Sequence, residues 1–431
     1  MAGDTVEATD IFRELSLLLA LAGIGHFVIR KLGQPQIIGE IAIGVLVGPS
    51  VLGAYLLRSY NITLFDPSLT KSFASLGAIF LLFLVGLESD FRVMYTRKNF
   101  AVALGGVLLP FVIGAPLAYY MLPPAAIGPQ GTPFTMAVFV GAAMVATSTA
   151  IAAAILLELG LMKDRVAQTI IGAAVIDDIL GLLTLSIVVG LSRSGGIDIW
   201  ANIWAIAILL ITALVFIGVA IYVGVHFFSK IVVRLQAAGN RMGMKHSGFS
   251  IAIAITFLYA FISEVIGLSA IVGAFLAGTM FASTPLRKDL GEGATYLAAI
   301  FTPIFFISLG VLVDLGSVSS EFYLFSLILV AMAIVTKVVG CSIPARLTGL
   351  RTREALAVGL GMTPRGEVGL IVALTALTAE VIGPSLFSVI VLVSVAVSVL
   401  PSPFLKRALR RVVAQRARDR AEAPESQANS P

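Results

Sequence analysis

Two adjacent aspartates, Asp177 and Asp178, stand in the middle of the apolar run IIGAAVIDDILGLLTLSIVVGL. A carboxylate at bilayer depth costs at least ~2.5 to 3.5 kcal/mol, and an intramembrane acid marks an ion or proton pathway. Neighbours on a helix point about 100° apart, so the two carboxylates face different parts of one cavity and serve different roles. Two anions about 4 Å apart repel by roughly 4 kcal/mol at an effective dielectric near 20, so without a cation the pair holds a proton and titrates as a unit. A proton-coupled cation site requires that property.

Three further features lie at membrane depth. Lys337, in AMAIVTKVVGCSIP, is too far from either end of its apolar segment for easy snorkelling. A buried ammonium needs an acid, so Lys337 is expected to pair with one aspartate and leave the other for the ion; a purely structural ion pair is the alternative. In GLGMTPRGEVGLIVALTAL, Thr363, Pro364, Arg365, Gly366 and Glu367 interrupt a helical pattern. Proline breaks a helix, and unwound backbone at this depth is tolerated where it lines a protein cavity. A broken helix whose charges offset half-helix dipoles is one reading and a juxtamembrane turn is the other. In MVATSTAIAAAILLELG, Thr147, Ser148 and Thr149 supply hydroxyls and carbonyls suited to a hard cation, or pack helices. Glu40 lies between Gly39 and Gly44, a close-packing pattern, and serves either as a helix-contact hydrogen bond or as part of the ion path. His26, His226 and His246 lack metal-ligand spacing, and the single Cys341 leaves no disulfide or thiolate site.

The elements that must position these residues are membrane helices. At 58% hydrophobic and 12% charged, the 431-residue chain lies well beyond the roughly 45–50% apolar content of soluble domains. With about 20 residues per span, thirteen segments are predicted: 11–29, 35–55, 72–91, 99–122, 133–159, 165–191, 200–229, 247–264, 266–283, 294–313, 322–346, 353–378 and 383–404. Between the eighth and ninth, Ser263 and Glu264 offer only a tight turn. In alternate loops, 23 of the 29 Lys and Arg residues fall on one side and 3 on the other. This places the N-terminus outside and the C-terminus in the cytoplasm of a multi-pass cell-membrane protein. The basic balance is therefore topology rather than nucleic-acid binding. The acidic start has no basic n-region, so no removable signal peptide is predicted. Residues 1–10 form an extracytoplasmic tail and 11–405 the transmembrane domain, with a first half at about 11–195, a linker helix at about 200–229 and a second half at about 246–405. Residues 406–431 are expected to be a basic, then disordered, cytoplasmic tail. LGAIFLLFLVGLESD near residue 76 loosely matches LAAIFTPIFFISLGVLVD near residue 297, as an inverted repeat would.

Taken together, GQPQIIGEIAIGVLVGPS, LGAIFLLFLVGLESD, the Asp177-Asp178 pair, LSAIVGAFLAG and MTPRGEVGLI resemble the monovalent cation/proton antiporter superfamily, on its NapA-like sodium/proton side. The resemblance spans about residues 10–405. It implies an all-α fold of 13 helices with a mobile core domain and a dimerisation domain, in which the fifth and twelfth helices unwind and cross beside the ion site. It also implies that Asp178 is the essential ion-binding aspartate, that Asp177 pairs with Lys337, and that Thr147, Ser148, Arg365 and Glu367 belong to the unwound stretches. Glutathione-gated potassium/proton relatives carry a nucleotide-binding domain, absent here, and typically a glutamine at the first aspartate position. Electroneutral relatives have asparagine there, so Asp177 with Lys337 implies electrogenic exchange of two protons per cation.

The resulting expectation is a secondary antiporter, not an enzyme, that exchanges Na+, and also Li+, for protons by alternating access. Asp178 and Asp177 ligate the ion and Lys337 carries a proton. No cofactor is expected, and a homodimer in the lipid bilayer is. A K+/H+ antiporter of the same superfamily is the alternative, and a sodium-coupled organic-anion transporter a remote one. An intramembrane aspartyl protease is disfavoured, because its two aspartates approach from separate helices and this chain has no G-x-G-D.

Overall fold

The computed structural model describes residues 8–31, 36–60, 62–88, 96–161, 164–193, 211, 215–216, 218–243, 247–266, 270–282 and 284–421. In chain order the helices are α1 (Ala8–Lys31), α2 (Gln36–Val47), α3 (Leu52–Tyr60), α4 (Pro67–Glu88), α5 (Arg97–Met121), α6 (Pro133–Ala143), α7 (Thr149–Glu158) and α8 (Arg165–Arg193). They continue with α9 (Ser229–Arg241), α10 (Ser247–Val265), α11 (Ala270–Phe281), α12 (Arg287–Val311), α13 (Glu321–Leu347), α14 (Thr352–Gly361), α15 (Glu367–Thr378), α16 (Pro384–Val399) and α17 (Ser402–Ala421). Among the described residues nine helices are long and apolar enough to cross a membrane, and three shorter apolar ones accompany them.

Local chemistry sets several boundaries. The Thr96 hydroxyl accepts from the Asn99 N–H to start α5, and Thr132 and Thr135 form a reciprocal capping box before Pro133 at the start of α6. Pro384 occupies the first turn of α16, where its missing N–H costs nothing. Two helices break mid-membrane. After α6 the chain tightens at Met144 and Val145 and runs extended to Ser148; after α14 it unwinds through Thr363–Gly366, because Pro364 has no N–H to continue the ladder.

The structure revises three expectations. Ser263 and Glu264 lie within α10 rather than in a turn. The tenth segment begins at Arg287, so its charged first turns are helical. The chain beyond Arg407, expected to be disordered, remains helical to Ala421: Leu405, Leu409 and Val412, spaced one helical face apart, are buried in a cluster with Leu350, Ala355 and Val358. Amphipathic periodicity inside the basic sequence outweighs its polarity. About half of the predicted linker helix at 200–229 lies outside the described residues, as do 1–7 and 422–431; its described part from 218 to 229 is helical.

The helices pack as two groups, each drawing on both halves of the chain. Helices α1, α2, α4, α10, α11 and α12 pack together; α5, α6, α8 and α13–α16 form the second group, with α17 against α14. Between the groups the boundary is thin, chiefly α4 against α15 and α11 against α8. Within each group, glycines let backbones meet. A Cβ at Gly44 would lie 2.3 Å from the Ile307 carbonyl oxygen, and one at Gly310 would lie 2.3 Å from that of Ile41. In the second group, a Cβ at Gly105 would lie 2.1 Å from the Gly340 oxygen and one at Gly340 would lie 2.4 Å from the Gly105 oxygen. Such small-residue contacts hold membrane helices together by close packing rather than by a hydrophobic force.

Gly105→Ala is therefore expected to destabilise the protein by about 1–3 kcal/mol through overpacking, seen as a lower thermal midpoint in detergent. Gly218→Ala, where an added Cβ meets nothing within 4 Å, is expected to leave the midpoint unchanged or raise it.

Candidate ion site at the crossing of two broken helices

Both aspartates lie near the middle of α8 and both are buried. Asp177 is turned toward α5 and α13, where its Oδ1 lies 2.8 Å from the Nζ of Lys337, and neither side chain is exposed at all. The Lys337 ammonium also donates to the Gly106 carbonyl at 3.0 Å and to the Val145 carbonyl. Three donors thus meet three acceptors. Gly106 makes this possible: a Cβ there would sit 2.6 Å from Cys341 Sγ, 3.4 Å from Lys337 Nζ and 3.6 Å from Asp177 Oδ1. The second carboxylate oxygen of Asp177 is buried without a hydrogen-bond partner. Asp178, the next residue, is buried at 7% exposure.

The two unwound stretches cross beside this pair. The Ser148 N–H donates to the Pro364 carbonyl at 2.7 Å, and the Thr147 hydroxyl donates to the Met362 carbonyl at 3.0 Å. A Cβ at Gly366 would lie 2.7 Å from Ser148 Cα, so the crossing is backbone against backbone. The Thr363 hydroxyl bonds within its own turn, to the Gly359 carbonyl at 2.9 Å. Arg365 is buried in the break, where its Nη1 donates to the Ala146 carbonyl at 2.8 Å and its Nη2 to the Ala333 carbonyl at 3.4 Å. Lys337 and Arg365 therefore both sit on carbonyls just past the C-terminus of α6, where the half-helix dipole favours positive charge. Ser398 of α16 steadies the break by donating to the Arg365 carbonyl at 2.8 Å. A cavity of about 10 Å³ beside Arg365, lined also by Gly366, Ser394 and Ser398, has room for roughly one water.

The predicted residues are thus brought together from α8, α13 and the two breaks, and α5 adds the Gly106 carbonyl. Glu367 is the first residue of α15 and Thr149 the first of α7, but their side chains lie outside the described residues. Glu40 is buried on α2, in the other helix group, one turn before the Gly44 contact with α12. No group of three or more His, Cys, Asp and Glu residues is placed to hold a metal ion among the described residues. Three groups escaped sequence reasoning. The carbonyls of Gly106 and Val145 leave no side-chain signature. Glu14, in the acidic start of α1, is fully buried and accepts from the Asp66 N–H and, at 3.3 Å, from the Thr70 hydroxyl. It lies inside the first predicted span, 11–29, and its partners come from the start of α4, distant in sequence.

The profile of the family described as "Sodium/hydrogen exchanger, transmembrane" matches residues 16–410. The chain belongs to this family. It is a multi-pass membrane cation/proton antiporter. Among its relatives, the Na(+)/H(+)-K(+) antiporter GerN of Bacillus cereus is 30% identical over 400 residues, covering 92% of this chain and 96% of GerN. The high-affinity Na(+)/H(+) antiporter NhaS3 of a Synechocystis species is 31% identical over 429 residues, covering 92% and 89%. The solved sodium proton antiporter MjNhaP1 of Methanocaldococcus jannaschii shares the exchanger's fold, with a TM-score of 0.66 at 17% identity over 95% of this chain and 99% of that one.

In the exchanger, replacing Lys337 by Met strands a buried carboxylate and is expected to cost about 3–5 kcal/mol. A double variant that also carries Asp177→Asn is expected to recover most of that loss. Thermal midpoints in detergent measure both, and equal midpoints for the single and double variants would show that the pair is not coupled.

Proposed function

We propose that this antiporter exchanges Na+ for protons at Asp178 and Asp177, electrogenically, with two protons moved per cation. The observation that carries the reading is the buried Lys337–Asp177 pair, 2.8 Å apart, beside Asp178 and the crossing of two broken helices. An ammonium has three donors and a neutral amine two. Of the three partners of Lys337, two are backbone carbonyls that do not titrate, so the amine left after deprotonation keeps both of its N–H bonds satisfied. Only the contact to Asp177 is given up, and a cation can take that oxygen.

The exchange rule follows from charge. Na+ and protons compete for Asp178, and Asp177 turns from Lys337 to the ion when Na+ binds, while Lys337 sheds the second proton. Hydroxyls and carbonyls of the unwound stretch at Thr147 and Ser148 supply neutral oxygen ligands of the kind hard cations take. A site carrying bare charge meets a large desolvation cost at the apolar boundary between the helix groups, so only loaded states move. Core movement against the other helix group then exposes the site alternately to the two sides. We assign the charge-poor end to the outside, with the N-terminus there and the C-terminus in the cytoplasm of a cell-membrane protein, from the distribution of Lys and Arg. The functional unit is a homodimer. Potassium deserves a place in the assay because one relative is described as a Na(+)/H(+)-K(+) antiporter.

Proteoliposomes with an imposed proton gradient test the proposal, with Na+, Li+ and K+ titrated separately across pH. Asp178→Asn is expected to abolish exchange, and normal proton-coupled Na+ flux in that variant would reject the assignment. Lys337→Ala is expected to reduce or remove the transport current; a current equal to that of the parent would sink the two-proton rule. Competition predicts that the apparent Na+ constant rises with acidity, by up to about tenfold per pH unit for one competing proton.

A further inference from the structure

The linker between α12 and α13 joins the two helix groups at the charge-poor end, and it is held from both sides. On the α2 side, the Ser50 hydroxyl donates to the Val313 carbonyl at 2.7 Å and accepts from the Leu315 N–H at 3.1 Å. On the α16 side, the Ser388 hydroxyl accepts from the Asp314 N–H at 2.9 Å while donating to the Pro384 carbonyl at 2.8 Å. Ser385 donates to the Ser317 carbonyl at 3.0 Å. The anchor points interleave: residues 313 and 315 are tied to one group, 314 and 317 to the other. A rigid displacement of α16 relative to α2 therefore breaks at least one set.

Packing is interrupted at this part of the boundary. A cavity of about 300 Å³ opens beside the linker, lined by Gly48, Pro49, Leu312 and Asp314 from one side and by Leu377 and Pro384 from the other. Apolar contact between the groups is missing where the cavity lies, and the serine hydrogen bonds bridge the gap. A neutral hydrogen bond is weak enough to break in a conformational step, yet directional enough to define one closed position.

We propose that Ser50, Ser385 and Ser388 form a latch that closes the charge-poor face of the antiporter, so that these serines set how often the boundary opens there. They are positioning residues and touch no ion. The consequence for transport rests on the exchange reading above, but the latch itself does not.

A cysteine placed at Leu377, on the α15 side of the cavity, reports opening through its reaction with a membrane-impermeant maleimide; native Cys341 is fully buried. In the full-length protein in proteoliposomes, Ser388→Ala is expected to raise that labelling rate by about two- to tenfold, the factor that one neutral hydrogen bond carries. Ser388→Thr, which keeps the hydroxyl, is expected to stay near the parent rate. Ser50→Ala cuts the latch from the opposite group and is expected to act in the same direction, so a folding defect in one variant leaves the other as the test. Labelling rates equal to the parent's in both alanine variants would overturn the latch. Latch-dependent labelling in a protein that moves no Na+ or protons would uphold the latch and reject the exchange reading.

Discussion

The rest of the site depends on one buried ion pair. Lys337 and Asp177 are both removed from water, and each is tolerable there only because the other is within hydrogen-bond distance. That requirement dictates the surroundings. The pair needs α5 close enough for a backbone carbonyl to reach the ammonium, which is why position 106 carries no side chain. It also needs a carbonyl freed from helical bonding, which the break after α6 provides at Val145. One charge interaction thus explains a glycine and the use of a broken helix.

Breaking two helices at membrane depth creates backbone groups with no intrahelical partner, and the structure answers with a second set of interactions. The breaks satisfy each other, through the Ser148 N–H and the Thr147 hydroxyl, and Arg365 covers the Ala146 carbonyl. Part of the unwound backbone is thereby satisfied within the site itself. The same arrangement leaves the second oxygen of Asp177 buried and without a partner. A carboxylate with one oxygen engaged and the other without a partner suits the two-state role proposed above for Asp177.

The glycine crossings and the thin boundary divide the molecule mechanically. Inside each group, backbones meet at Gly44 and Gly310 or at Gly105 and Gly340, so relative sliding would meet hard contact. Between the groups, contact is sparse and at one end is interrupted by a cavity. Motion is therefore easiest along the boundary, as the proposed exchange requires, and the ion pair lies within one group rather than across it.

Much of this was legible in the residues. A double carboxylate, a lone lysine and a proline-glycine interruption are so costly in lipid that their presence within apolar runs identifies a polar centre, and the pairing of Lys337 with an acid follows from charge balance. The helices themselves follow from apolar length. Charge balance alone left open which acid the lysine meets, and the family resemblance pointed to Asp177; tertiary structure decided that its other partners are carbonyls of Gly106 and Val145. It also decided that the basic stretch from Ser402 to Ala421 docks as a helix and that the two halves of the chain interleave into two packed groups. The physical reason is the same in each case. Side-chain burial costs are written residue by residue, whereas backbone acceptors, close approaches and docking faces exist only once distant segments have been brought together.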